Sequence, residues 1–165
     1  MERSVYSRRI RFLVIFFIIA LTASGLTAIP LEWELGLLDR LAGSSSILGH
    51  MLPGLGDWIS RVHTGLQAAY AVFPQVAYGT DWLAFAHIVI ATAFIGLLRN
   101  PIRNRWVVEF GMLACALVIP WTLLMALVRH IPWFWQLVDM SFGVFGMIPL
   151  WWLRRDVLKL EALER

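Results

Sequence analysis

WVVEFGMLACALVIPWTLLMALV, residues 106–128, decides the fold. Its one charged side chain is Glu109. A helix needs about 20 apolar residues, at roughly 1.5 Å each, to cross the hydrocarbon core of a bilayer, and this run exceeds that. Three more runs have the same character: residues 12–29, closed by Pro30, residues 82–98, and residues 133–153. Four spans predict an all-α integral membrane four-helix bundle, residues 1–165 forming a single membrane domain.

Composition agrees. Hydrophobic residues make up 59% of the 165 and charged residues only 15%, with a mean hydropathy of +0.71. Soluble domains carry about 25% charge, which argues against an ordinary cytosolic enzyme; the apolar content excludes lasting disorder. The one cysteine, Cys115, lies in an apolar run and excludes a disulfide scaffold. The net charge of +3 does not imply a nucleic-acid partner, because the basic residues cluster beside the apolar runs.

Arg3, Arg8, Arg9 and Arg11 precede the first run, the pattern of a span or of a secretory signal. Ala23, Ser24 and Gly25 would permit cleavage. The run exceeds the usual signal core of roughly 7–15 residues, which favours a retained helix.

Residues 31–80 read as an outer, largely helical amphipathic segment. Leu31, Leu35 and Leu38 recur at helical spacing. Gly43 to Ser46 reads as a flexible break and Gly49 to Gly56 as a loop. Asp57 is placed to cap a helix, on which Ile59, Val62, Leu66, Ala69, Tyr70 and Phe73 form one apolar stripe. His63 falls off that stripe, where a solvated histidine is expected. Such a helix lies along a membrane or on a bundle, and Pro74 ends it. Asp81 and Asn104 stand where they would cap the second and third spans, and residues 154–165 read as an inner charged tail.

The charges orient the chain. With the N-terminus inside, Arg3, Arg8, Arg9, Arg11, Arg99, Arg103, Arg105, Arg154, Arg155, Lys159 and Arg165 lie inside. Only Arg40, Arg61 and Arg129 lie outside. This positive-inside pattern predicts cytoplasmic termini in a bacterial cytoplasmic (inner) membrane. Trp82, Trp133 and Trp135 mark the outer interface; Trp106, Trp151 and Trp152 mark the inner one.

Ionisable residues within spans are costly and mark candidate sites. His87 lies five residues beyond Trp82, and Asp139 six beyond Trp133. The two spans run in the same direction, so both residues sit roughly 8–9 Å below the outer interface. The expected ligand-binding residues are His87 and Asp139, joined at the outer mouth by Asp81, Tyr70, Tyr78, Trp133 and His130. A His–Asp pair suits a proton relay, a hydrogen-bonding site for a quinone-like carbonyl, a metal ligand with its supporting carboxylate, or a structural role fixing helix register. Glu109 lies near the inner end of its span, where structural pairing with Arg103 or Arg154 is expected.

No nucleophile elbow, phosphate loop or dinucleotide fingerprint is present. Haem would need two facing histidines at membrane depth, and only His87 qualifies. No metal is expected, since the histidines follow no ligand spacing. A quinone is the one cofactor compatible with the pattern. The leading functional expectation is a non-enzymatic accessory or assembly subunit, or a lipid-ligand binder. The alternatives are a quinone-linked or proton-coupled protein using His87 and Asp139, and a small oligomeric transporter. Expected partners are the bilayer, other membrane subunits or further copies of the chain.

Overall fold

The computed structural model describes residues 2–164, and every regular element among them is helical. Helix α1 spans Glu2–Thr27, α2 Leu31–Ala42, α3 Ile47–Met51 and α4 Pro53–Val72. A 3-10 turn, Pro74–Ala77, leads into α5 (Tyr78–Ala93) and α6 (Ile95–Arg99); α7 (Arg105–Arg129) and α8 (Trp133–Ala162) follow. Four stretches are long and apolar enough to cross a membrane: Arg3–Thr27, Pro74–Arg99, Arg105–Arg129 and Trp133–Ala162. The all-α class, the four spans and the intervening amphipathic helices are as the sequence predicts.

Three stretches differ from expectation. Residues 49–56 are helical except around Leu52. The Ser46 side chain accepts the Gly49 N–H at 2.9 Å and caps α3. Pro53 then opens α4, where its missing N–H costs nothing and its fixed φ suits a first turn. Asp57 therefore lies inside α4, not at its cap. The second span begins at Pro74, so Asp81 sits in the first turn of α5, where a carboxylate favours the helix dipole. The expected charged tail, residues 154–165, is largely the continuation of α8. Leu153, Val157 and Leu160 fall on one face at helical spacing and are buried, which carries the helix on to Ala162.

The turns have local causes. Pro74 supplies no N–H, and α4 stops at Val72 with Phe73 as its C-cap. Asn104 occupies the N-cap position of α7 but makes no capping bond. Its amide donates to the Gly96 and Asn100 carbonyls at 3.0 and 2.9 Å, tying α6 to the turn before α7. His130 adopts a left-handed φ of 54° and closes α7. Pro120 and Pro149 lie within α7 and α8.

The chain divides into two compact units, Leu21–Val89 and the remainder. All four spans contribute to the larger unit. Its core holds Val14, Phe94, Leu97, Val107, Val108, Leu150, Leu153 and Val157, all fully buried. The rings of Phe17 and Phe94 stack at 4.7 Å. Small residues bring α7 and α8 together. A Cβ at Gly143 would lie 2.5 Å from the Cys115 carbonyl oxygen, and one at Gly146 2.9 Å from its Sγ. Without a water-driven force between helices in lipid, such close packing supplies much of the association. Large apolar side chains point away from the core, among them Phe12, Trp121, Leu127 and Phe145. In water this surface would drive aggregation; facing acyl chains it carries no such penalty.

Charged side chains gather around the end of α8. Arg9 Nε lies 3.3 Å from Asp156 Oδ2, Arg3 pairs with Glu164 at 2.6 Å, and Arg105 with Glu161 at 2.9 Å. Asp156 is only 2% exposed. A buried charge is tolerated when paired, and Arg9 provides the pairing.

Candidate functional site

The smaller unit, Leu21–Val89, carries a connected polar cluster built from α2, α4 and the turn after α2. Ser60 and His63 stand three residues apart, and so on one face of α4. Asp39 meets both from α2. His63 Nδ1 lies 3.0 Å from Asp39 Oδ2, and the Ser60 hydroxyl donates to Asp39 Oδ1. Having spent its proton there, Ser60 Oγ accepts twice from Ser44: from the backbone N–H at 3.0 Å and the hydroxyl at 3.1 Å.

Glycines make this approach possible. Gly43, Gly49 and Gly56 lie in contact, and a Cβ at Gly49 would overlap the Gly43 carbonyl. That contact carries Ser44 onto Ser60. Gly43 also lies against the Asp39 carboxylate, leaving no room for a side chain.

The donated proton fixes the roles of the imidazole. Nδ1 must carry the hydrogen, because Asp39 offers only acceptors. In the neutral ring, Nε2 is then a hydrogen-bond acceptor held in one orientation. No described residue bonds to it; it sits over Gly36, whose added Cβ would be 3.2 Å away. The His63 side chain is 15% exposed and that of Asp39 27%. The expected solvated histidine is therefore a mostly covered one. Hydrogen bonds from Ser60 and His63 hold the Asp39 carboxyl below its ordinary value, outweighing the opposing effect of desolvation.

His63 and Gly36 line a cleft of about 640 Å³. Ile29, Trp33 and Leu37 give it an apolar side, while Glu32, Arg40, Gln67 and Tyr70 add polar groups. The lining thus combines an apolar wall with a polar acceptor at Nε2. The Ser60 hydroxyl reaches the carboxylate and not the imidazole, so this cluster is not arranged to activate a serine nucleophile.

Of the residues expected to bind ligand, Tyr70 lines this cleft. Tyr78 and Asp81 are exposed on the first turn of α5, with Tyr78 edge-on to Trp82 at 5.8 Å. His87 is half-buried on α5, where Gly25 lets α1 approach; a Cβ there would be 2.5 Å from the His87 Cβ. Its Nδ1 donates to the Leu83 carbonyl at 2.8 Å.

In the larger unit, His130 closes α7 and Trp133 is exposed at the start of α8. Asp139 is half-buried on α8 and has no hydrogen-bonding or charged partner among the described residues of that unit. Glu109 Oε1 lies 3.2 Å from Arg105 and 3.5 Å from Arg154, whereas Arg103 meets no carboxylate among the described residues. Among those residues, no three of His, Cys, Asp and Glu converge as metal ligands.

Asp39, Ser44, Ser60 and His63 were hidden in sequence because they come from three separated segments. The three-residue spacing of Ser60 and His63 was the one local signal. The chain matches no protein-family model, no curated protein and no solved structure.

Proposed function

We propose that this chain is a non-enzymatic protein of a bacterial cytoplasmic membrane that binds a small amphiphilic ligand. Its seat is the cleft lined by α2 and α4, on the outer side, with both termini cytoplasmic. The observation that carries the reading is His63. Asp39 holds it with Nε2 unpartnered, and Asp39 is in turn held by Ser60. A ligand hydroxyl, amine or amide N–H supplies the donor that Nε2 lacks, while Trp33 and Leu37 cover its apolar part. The strong excess of arginine at one set of span ends supports the orientation. A role as accessory subunit, alone or in further copies, is compatible with the same cleft.

A second reading places proton-coupled or quinone-linked chemistry at His87, within the smaller unit. His87 Nδ1 is committed to Leu83, so the neutral ring offers an acceptor at Nε2. That suits taking up a proton better than donating to a quinone carbonyl.

Native mass spectrometry of protein drawn from its own membrane in a mild detergent tests the choice. The expected result is a small-molecule mass retained by the wild type and by His87→Ala but lost in His63→Ala. Retention in His63→Ala with loss in His87→Ala would transfer the site to the second reading.

A further inference from the structure

A second cleft, of about 410 Å³, lies in the larger unit where the polar end of α1 meets α6, the turn after it and the end of α8. Arg3, Arg11 and Arg99 line it. The arginines of this unit divide by partner. Arg9 has Asp156, Arg105 has Glu109 and Glu161, and Arg154 has Glu109. Arg3 is neutralised within the cleft by Glu164, its one acidic residue, at 2.6 Å. Arg11 and Arg99 face no carboxylate among the described residues, so the cleft keeps two uncompensated guanidinium charges.

Uncharged donors stand beside them. The Asn100 side-chain oxygen accepts the Arg103 backbone N–H at 2.9 Å, and its NH₂ group has no acceptor among the described residues. Ser7 adds a hydroxyl. The base is apolar, formed by the buried Ile10, Leu97 and Leu160.

We infer that this cleft binds the phosphodiester of an anionic phospholipid. Guanidinium groups match phosphate oxygens in shape and charge, and basic pockets among spanning helices bind lipid headgroups. The choice of a lipid over a free phosphate comes from what adjoins the arginines. Arg11 directly precedes the exposed Phe12, and Arg99 closes the apolar run Ile95–Leu98. Both therefore stand where a span meets the headgroup layer, with apolar helix surface beside them for acyl chains. A zwitterionic headgroup would bring its own cation against two arginines and is disfavoured.

The test is a native mass spectrometry titration of the full chain in a neutral detergent. The probes are phosphatidylglycerol, phosphatidylcholine and inorganic phosphate. One phosphatidylglycerol should bind at least about tenfold more tightly than phosphatidylcholine, and added salt should weaken it. At about 1 kcal/mol per basic residue, Arg11→Gln and Arg99→Gln should each weaken it about fivefold, and the double variant about thirtyfold. Arg8→Gln, outside the cleft, and His63→Gln should leave it unchanged. Equal binding of the two lipids, or an unaltered double variant, would overturn the inference. Displacement of phosphatidylglycerol by equimolar inorganic phosphate would make the cleft a free-anion site and overturn the lipid assignment. Should a variant unfold, the wild-type salt dependence still decides: phosphatidylglycerol binding indifferent to salt refutes it.

Discussion

Replacing Asp39 with Asn removes the charge that organises α2 and α4 while keeping the shape. Two hydrogen bonds reach the carboxylate, from Ser60 and from His63. Bonds to charged groups contribute about 1.5–3 kcal/mol each when desolvated. Asp39 and His63 are 27% and 15% exposed, so water screens part of this. Asn also retains one acceptor oxygen. The expected loss is about 1–2 kcal/mol, or roughly 2–8 °C in melting temperature for a chain of this size. Thermal unfolding in detergent, followed by circular dichroism, would measure it. A cycle with His63→Gln should give a coupling of about 1 kcal/mol, above the ~0.5 kcal/mol scatter of independent sites.

The pH dependence has a definite sign. The Asp39 carboxyl lies below its ordinary value of 3.8 when folded. Its stabilisation is therefore fully present above about pH 5 and is lost as pH falls through 3.8 toward the folded value. The difference between wild type and Asp39→Asn should shrink as pH falls below about 5. Additive single variants, or a difference that grows in acid, would refute the reasoning.

Other expectations follow from close packing and buried charge. Gly143→Ala puts a Cβ 2.5 Å from the Cys115 carbonyl oxygen, well inside the 3.4 Å of ordinary contact. It should cost about 1–3 kcal/mol, read as a lower melting temperature. Gly49→Ala overlaps the Gly43 carbonyl and should cost a similar ~1–3 kcal/mol. Because it moves Ser44 off Ser60, it should also lower ligand retention. Arg9→Gln strands the buried Asp156 carboxylate. Arg9 is itself largely exposed, so the loss should be about 1–2 kcal/mol rather than the ~3–5 of a fully buried pair. Adding Asp156→Asn should recover part of it in the same melt.

The spans were legible because hydropathy over a bilayer's length admits few alternatives. Gly111, Cys115, Gly143 and Gly146 lie where α7 and α8 touch. The end of α8 was misread because Arg154, Arg155, Asp156 and Lys159 look solvated in composition. Only the spacing of Leu153, Val157 and Leu160 reveals a buried face. Residues 49–56 looked like loop because glycine and proline usually break helices, yet Pro53 stands at the one position where proline begins one. Of the Asp39–His63 cluster, only the three-residue spacing of Ser60 and His63 is visible in sequence. The cluster depends on α2 and α4 packing through glycines, and pairing across two helices leaves no local periodicity.

Photocrosslinking from the cleft tests its proposed role most directly. Gln67 is exposed and lines the cleft with His63, so a photoreactive residue placed there should leave the fold intact. Irradiated in its own membrane, the protein should form one adduct of defined mass on the α4 peptide. That adduct should disappear when His63→Ala is added and persist with Arg11→Gln. An undiminished adduct in His63→Ala, or a spread of bulk-lipid masses independent of His63, would contradict a ligand site at the His63 cleft.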